Sequence, residues 1–508
     1  MTITMRMAAA AALAGAALQA AASAAAPDTA SVLGRVEADG LSAMSLVDVA
    51  FANPAMKPLQ RGYSMSRVEG SCFSRSDGGG RAIDPQQGSG SRHWAFNADS
   101  YMKYKGSTLW GAASYRNGKD LDVRWNETSE LPLVYPYVMA DSIGGDIKKE
   151  IYSFSGGYAS SRGPLGWGGA MGYTAGLYYR AVDPRPRNVT GNLRFSLGGT
   201  YRFGGCTAGL MLGYAKYKQT NEVDFYSELG SRRLLHLTGP VSDYGRFAGD
   251  AADTYYNGNT FTLGLNLATA GGLVLSAEAV RYTLTNVLSS LNNLPMAHAV
   301  HSQLRAEAAW VGRSGMGAVA RLLVSRRKGT ENVFGDASAA VFPKIAERNN
   351  YFENRVEASL RGMASWRLRS VSLTLTPAAG YTHRNQIYRD PRSRDMVNSL
   401  WGSADVRASW RAGRLLLTAN AAATYCGNVG GDLLLATARN ELQPLAVLVA
   451  DRHYVLASDS WTAAAGLRAD VALGKAYALR LRAQWQRTAY NTAHIHSSRV
   501  TVAAGVVF

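Results

Sequence analysis

The sequence predicts an all-β fold, a transmembrane up-and-down antiparallel β-barrel of about eighteen strands, with sixteen as the alternative count. Three observations carry this prediction. Apolar and polar residues alternate with a period of two in many segments, short and long connections alternate between these segments, and aromatic residues collect at the segment ends. No stretch after residue 30 approaches the roughly 18–20 consecutive apolar residues that a membrane-spanning helix needs.

The first 60 residues precede the predicted barrel. Residues 1–26 have the pattern of a cleaved signal peptide, with Arg6, an apolar core over 8–22 and small residues at the cleavage site. Residues 27–60 are expected to form either a periplasmic lead-in or a partial plug. Within them, Asn53-Pro54-Ala55 is similar to the turn that precedes the first strand in fatty-acid transporter barrels.

The alternation is clearest in residues 189–203, "VTGNLRFSLGGTYRF", where apolar residues and glycine occupy the odd positions and polar residues most of the even ones. Such a strand has one apolar and one polar face. The same pattern predicts eighteen strands at about 61–69, 93–104, 107–116, 150–160, 167–180, 189–203, 206–218, 258–269, 273–284, 301–312, 316–327, 351–369, 371–384, 400–411, 414–426, 460–473, 476–490 and 497–508.

The connections between these strands are short and long in turn. Short links include Gly204-Gly205, Gly271-Gly272 and Ala412-Gly413. Outer-membrane barrels have this asymmetry, with tight periplasmic turns and longer external loops. We therefore predict a barrel domain over 61–508 in the cell outer membrane of a Gram-negative bacterium, reached through the signal peptide. Its long external loops are predicted at 70–92, 117–149, 219–257, 328–350 and 427–459.

Aromatic residues at strand ends support the same topology. Trp461 and Trp485 are predicted to face outward near the external rim, and Tyr201, Trp310 and Trp410 near the periplasmic rim. Amphipathic rings favour the head-group layers of a bilayer, so two aromatic bands are expected on a barrel.

If the apolar face meets lipid, the polar face lines a lumen that is rich in arginine. A ring of arginines favours the passage of anions. The alternative is a lumen packed with neutralised arginine–carboxylate pairs or filled by the N-terminal segment. The predicted lumen-lining residues are Arg194, Arg202, Arg355, Arg361, Arg367, Arg407, Arg411, Arg468, Arg480 and Arg482.

The formal net charge of +17 fits anionic lipid head groups or anionic solutes better than nucleic acid, because an exported chain rarely meets nucleic acid. No residue pattern predicts a metal site, a cofactor or a catalytic group, so we expect no enzyme. The expected partners are outer-membrane lipid and lipopolysaccharide, the barrel-assembly machinery and a protein of an uptake system. The barrel itself is expected to be a monomer.

The most distinctive segments lie beside the predicted loops: residues 114–146, residues 217–230 and "DPRPRN" at 183–188. With the strand series around them, they resemble an uncharacterised outer-membrane β-barrel family of Bacteroidota, a resemblance that implies fold and location but no role. These loops group aromatic and charged residues that could capture a ligand or pack on one another. The loop candidates are Arg116, Arg124, Trp125, Tyr135, Tyr137, Phe225, Tyr226 and Glu228.

Two functions follow as hypotheses. The first is a passive channel, or an accessory component, for solute uptake through the arginine-rich lumen. The second is a non-transporting surface barrel that binds a ligand or a partner protein through its external loops. The final segment, "RVTVAAGVVF", is expected to be a lipid-facing strand that pairs with the first strand, with Phe508 as the signal for barrel assembly.

Overall fold

The structure, a computed structural model, describes residues 29–41, 43–78, 82–226, 234–247, 253–312, 315–337, 341–491 and 494–508. Its main body is one antiparallel sheet of eighteen strands. The sheet is closed because the first strand pairs with the second and also with the last, where Arg67 lies opposite Val507. The predicted barrel of about eighteen strands is confirmed. The barrel strands are β1 Met65–Gly78, β2 Gly90–Tyr104, β3 Ser107–Val123, β5 Gly145–Arg162, β6 Leu165–Tyr179, β7 Arg185–Phe203, β8 Cys206–Asp224, β11 Thr254–Thr269, β12 Leu273–Leu288, β13 Leu294–Val311, β14 Gly317–Phe334, β15 Lys344–Leu368, β16 Val371–Tyr388, β17 Ser393–Ala412, β18 Leu415–Leu434, β19 Ser460–Ala472, β20 Ala478–Tyr490 and β21 His496–Val507.

The alternation in sequence decides which side chains face outward. Leu467 on β19 and Leu481 on β20 are 67 % and 62 % exposed, whereas their neighbours Asp470 and Arg480 are buried inside. Exposed apolar side chains on a closed barrel are the surface that meets hydrocarbon. The outward rings at the strand ends are also exposed, namely Tyr201, Phe203, Trp310, Trp410, Trp461, Trp485 and Phe508.

The short connections are tight turns that require glycine. Gly204 and Gly205 between β7 and β8 have φ of +49° and +80°, a backbone conformation that suits glycine and matches the twist of a two-residue hairpin. At the opposite end, strands extend further than the alternation indicates. β1 runs to Gly78 and β2 begins at Gly90. The sequence did not indicate these extensions, because the residues there are polar on both faces and the period of two is lost.

The remaining elements lie before β1 or within the long loops. Helix α1, Val32–Leu41, and three short 3-10 turns, Ala43–Leu46, Val49–Ala52 and Pro54–Leu59, precede the barrel. The loops contain helix α2, Leu131–Val134, helix α3, Gln443–Leu456, and a small sheet of β4, Val138–Ala140, β9, Leu235–Gly239, and β10, Ser242–Asp243. Within the described ranges, no helix is long and apolar enough to cross a membrane.

Candidate functional site

Residues 31–61, called the inner segment below, lie across one end of the barrel interior. The side chains of α1 pack on β1 and β18–β21, the first two 3-10 turns contact β11–β15, and the third contacts β3 and β5–β8. A segment that touches strands around the whole circumference of a closed sheet must cross its interior. The backbone N–H of Val32 donates to the carbonyl of Lys475 in the β19–β20 turn, at 3.0 Å, so the segment lies at the short-turn end.

A carboxylate of the inner segment anchors it to the wall. Glu37 on α1 is 4 % exposed, and its Oε1 lies 2.6 Å from Nη2 of Arg367. The Ser372 hydroxyl donates to the same oxygen at 2.9 Å, and Nη1 of Arg411 lies 3.8 Å from Oε2. A buried carboxylate needs such compensation, because desolvation of an unpaired charge is costly.

The Asn53-Pro54-Ala55 turn lies against three glycines on adjacent strands. A Cβ added to Gly198 would lie 1.9 Å from Asn53 Oδ1, and one added to Gly168 would lie 2.7 Å from the Pro54 carbonyl carbon. Asn53 is fully buried; its Nδ2 donates to the Leu210 carbonyl at 3.2 Å, and its Oδ1 accepts from the Ala55 N–H at 2.9 Å. The wall therefore has a flat contact surface for the turn, called the seat below, that only residues without a side chain can form.

A second anchoring group was not predicted from the sequence. Arg321 on β14 donates to Glu307 on β13 at 2.9 Å and to Asp48 of the inner segment at 2.8 Å, and it also bonds the Leu46 carbonyl. The backbone N–H of Asp48 in turn donates to Glu307 at 3.2 Å. The alternation placed Arg321 and Glu307 on the polar faces of their strands, but nothing local linked them to a segment more than 250 residues earlier.

The predicted lumen arginines fall into three groups. Arg367, Arg407 and Arg411 contact the inner segment. Three others form ion pairs with wall carboxylates: Arg468 and Arg480 with Asp470, at 2.8 and 2.6 Å, and Arg482 with Glu69, at 2.6 Å. The remaining four are exposed although their strand positions face inward, namely Arg194, Arg202, Arg355 and Arg361.

The long loops fold over the other end of the barrel. We call residues 124–144, 234–247 and 435–457 the cap. Trp125, Tyr135 and Tyr137 of the cap are buried with Leu237 and Leu442 in one hydrophobic cluster. Tyrosines from five wall strands belong to this cluster, so the loops fold into the barrel mouth rather than away from it. These tyrosines are Tyr217, Tyr256, Tyr282, Tyr351 and Tyr388.

A buried ionic group attaches the cap to the β6–β7 connection. Glu127 and Asp141 are at most 1 % exposed, and Arg180 reaches them at 2.8 and 3.6 Å. Two carboxyl groups share one guanidinium here. Burial, together with the hydrogen bond and the charge of Asp141, raises the pKa of Glu127 well above its usual range. The neutral form of Glu127 is therefore favoured more than in an exposed glutamate.

The predicted loop candidates are dispersed rather than gathered at one surface. Trp125, Tyr135 and Tyr137 are covered by protein, and Arg116 lies on β3 within the barrel wall. Arg124 pairs with Asp122, while Phe225 packs partly buried beside the cap. Tyr226 is 65 % exposed, with the Arg185 guanidinium 4.1 Å from its ring centre. Glu228 lies outside the described residues.

A cavity of about 400 Å³ lies beneath the cap, against β1, β3, β5 and β21. Cap residues 126 and 128–132 form one side of it, and charged side chains of the wall, among them Arg75 and Arg499, form the other. Neither arginine was among the predicted lumen residues: Arg75 lies in the predicted loop 70–92, and Arg499 lies at the start of the last predicted strand. In the described part of the chain, no group of three or more His, Cys, Asp or Glu residues has the arrangement of a metal site.

The fold is similar to large outer-membrane proteins at low sequence identity. A mutant of the ferric enterobactin receptor from Pseudomonas aeruginosa is 9 % identical over 88 % of this chain and 80 % of that chain, with a TM-score of 0.37. The ferric preacinetobactin receptor from Acinetobacter baumannii is 9 % identical over the same shares, with a TM-score of 0.38. A bacterial polysaccharide outer membrane secretin is 11 % identical over 88 % of this chain and 98 % of that chain, with a TM-score of 0.35.

No curated protein matches the sequence. A family model does match, and it covers the third 3-10 turn and the whole barrel, residues 54–508. The resemblance drawn from the loop segments, to a barrel family without an established role, agrees with this match; the phylum Bacteroidota stays a prediction. The chain belongs to the family of unknown function DUF6850.

Proposed function

We propose that the chain is a gated outer-membrane channel for small solutes, closed at rest by the inner segment at one end and narrowed by the cap at the other. One observation carries the proposal: ionic side chains that face inward between the two closures are exposed to water. Arg355 and Glu357 form an ion pair with 50 % and 35 % of their side chains exposed, and Arg305 is 49 % exposed beside Glu278. A solid barrel would bury these groups, and a barrel of this size is wide enough to hold water.

The inner segment is the proposed gate. It is attached to the wall by polar contacts through Glu37, Asp48 and Asn53 and by two clusters of apolar side chains. Water can replace the polar contacts when the segment moves, which lowers the free-energy cost of displacing it. The gate therefore refines the passive channel expected from the sequence, because solutes would pass only after the segment shifts.

The proposed setting is the outer membrane, with lipid and lipopolysaccharide around the apolar wall. A protein of an uptake system is the proposed agent that moves the inner segment from the periplasmic side. The alternative of a surface barrel that binds ligands through its loops has less support. Trp125, Tyr135 and Tyr137, the rings expected to make such contacts, are enclosed in the cap.

A reversible crosslink tests the gate. A Cβ added to Gly317 on β14 would lie 2.9 Å from the Cβ of Ala43 in the inner segment. A disulfide prefers about 3.5–4.5 Å, so a shift of less than ~1 Å allows the Ala43→Cys/Gly317→Cys pair to form one. The native cysteines Cys72, Cys206 and Cys426 are replaced by serine in this variant.

Current through planar bilayers is then recorded from the same protein before and after reduction, with crosslinking measured on gels. We expect brief openings in the reduced protein, from spontaneous shifts of the inner segment, and none in the oxidised protein. The serine-substituted chain without the new pair should show no response to the reductant. Equal currents in the two redox states, or no current in either, would contradict the gated channel.

A further inference from the structure

The cavity beneath the cap contains an arginine pair that its surroundings do not neutralise. Arg75 on β1 and Arg499 on β21 are directly opposite each other in the sheet register, and both line the cavity. Like charges at directly opposed positions of neighbouring strands repel each other. The pair lies at the seam where the barrel closes, so each side chain is held in place by the pairing of the first and last strands.

Neither arginine has a carboxylate partner among the described residues. Nη2 of Arg75 donates to the carbonyls of Gly88 and Gln87, at 2.8 and 3.3 Å, and its buried Nε has no hydrogen-bond partner. Arg499 is exposed and makes no ion pair within the described ranges. By contrast, Arg468, Arg480 and Arg482 are neutralised by wall carboxylates. Arg75 and Arg499 therefore bring two unpaired positive charges to this cavity.

Polar side chains on the neighbouring strands also line the cavity. Nζ of Lys149 on β5 lies 2.5 Å from Asp120 on β3 and 3.4 Å from the Ser91 hydroxyl on β2. Lys149 is therefore already paired. The two arginines outnumber the one remaining acidic side chain of the lining, Glu130, so the cavity retains an excess of positive charge. An anionic group is the ligand that relieves this excess, through charge-assisted hydrogen bonds to two guanidinium groups.

The remaining walls indicate what else the ligand carries. Phe73 lines the cavity with its ring stacked on His93 at 4.5 Å, and Tyr178 lines it from β6, which gives flat apolar surfaces. From the cap, Ser129 Oγ and Glu130 Oε2 are buried without a hydrogen-bond partner. Unsatisfied buried polar atoms at a cavity can pair with ligand hydroxyl groups. The volume of about 400 Å³ suits a molecule of monosaccharide to disaccharide size.

The loop over the cavity also has a strained backbone. Asp122, Trp125 and Glu130 have φ of +50°, +57° and +50°, values that residues with side chains rarely adopt. Strain of this kind is often retained where a loop must present groups to a ligand. Residues 126 and 128–130 of this loop line the same cavity as Arg75 and Arg499.

We propose that this cavity binds a small hydroxylated organic anion, with its acidic group on Arg75 and Arg499 and its hydroxyl groups toward Ser129 and Glu130. The inference rests on the proposed channel in that it names the class of solute that the channel would pass. The acidic group is a carboxylate or a phosphate, because both match a pair of guanidinium groups.

Isothermal titration calorimetry of the full chain in detergent tests the site, with glucuronate, glucose 6-phosphate and glucose as probes. We expect the two anions to bind and glucose to bind at least about tenfold more weakly. The stronger anion identifies the acidic group. The Arg499→Gln and Arg75→Gln variants should each weaken anion binding about tenfold or more, because each removes a charged donor.

The matched control is Arg355→Gln, which removes an inward arginine that Glu357 already neutralises and should leave anion binding unchanged. Heat-modified migration on gels confirms that each variant remains a folded barrel. Equal binding of glucose and both anions, no binding at all, or full affinity in Arg499→Gln would overturn the proposal. Because binding is measured without transport, its failure is distinct from a failure of the redox-locked channel experiment.

Discussion

Replacing Gly198 by alanine should release the inner segment from the barrel wall. The added Cβ would lie 1.9 Å from Asn53 Oδ1 and 3.1 Å from the Ala55 nitrogen, so the turn cannot stay where it is. Asn53 would lose up to three hydrogen bonds: to the Leu210 carbonyl, to Asn266 Oδ1 and from the Ala55 N–H.

The size of the effect follows from those bonds. Each neutral hydrogen bond contributes about 1 kcal/mol net, so the seat loses up to about 3 kcal/mol. Since about 1.4 kcal/mol corresponds to a factor of ten, the equilibrium between the seated and displaced segment should shift by roughly 100-fold. In planar bilayers this shift should appear as a large rise in open probability.

Gly199 provides the matched control. It follows Gly198 on β7 but is exposed on the outer face, and a Cβ added there meets nothing within 4 Å. Gly199→Ala should therefore behave as the unmodified chain does. If the Gly198→Ala and Gly199→Ala variants open equally often, the seat does not hold the segment and the reasoning fails.

Three further predictions concern the cap and the wall. Burial beside Asp141 raises the pKa of Glu127, so its stabilisation of the cap is complete at low pH and is lost as the pH rises through that raised pKa. Glu127→Gln should remove this loss of stability with rising pH, measured by hydrogen exchange of the cap; the same loss in the variant would contradict this origin. Burial lowers the pKa of His236 to about 4, so its contribution to cap stability is complete above about pH 6.5 and is lost as the pH falls to about 4. The cap should lose about 3 kcal/mol of stability over this interval in the unmodified chain but not in His236→Leu, and a loss of equal size in both proteins would count against this origin. Leu467→Arg on the outer face should destabilise the barrel in the membrane by about 2–4 kcal/mol, more than Thr462→Arg on the inner face. Equal folding of the two variants into lipid vesicles would contradict the assignment of Leu467 to the outer face and Thr462 to the inner face.

The barrel was predictable because its physical cause is local. Alternation over residues such as Val189–Phe203 depends only on neighbouring positions, and the Gly204-Gly205 turn has a glycine where the backbone demands one. The closure by the inner segment was less accessible. Its contacts, such as Glu37 with Arg367, join positions 330 residues apart, and no local pattern encodes such a pair.

The cap and its cavity show the same limit. Trp125 and Tyr137 suggested binding because aromatic residues in long loops often contact ligands, but here they fill the core that turns the loops inward. Arg75 lies in the predicted loop 70–92, and Arg499 lies at the start of the last predicted strand, so the sequence did not link them. Only the register at the barrel seam shows that the two residues are directly opposite each other. For Phe508, the pairing of its backbone with Ser66 is visible, whereas its role in assembly stays a prediction.

The accessibility of the interior tests the gate most directly. Arg355→Cys places a thiol on the inward face of β15, and Val356→Cys places one on the adjacent outward position. In proteoliposomes of chains without the native cysteines, a membrane-impermeant thiol reagent should label the first and not the second. Labelling at position 355 should be faster when Gly198→Ala is also present than when Gly199→Ala is. Equal labelling rates in these two backgrounds, or no labelling at position 355, would contradict a hollow interior that the inner segment closes.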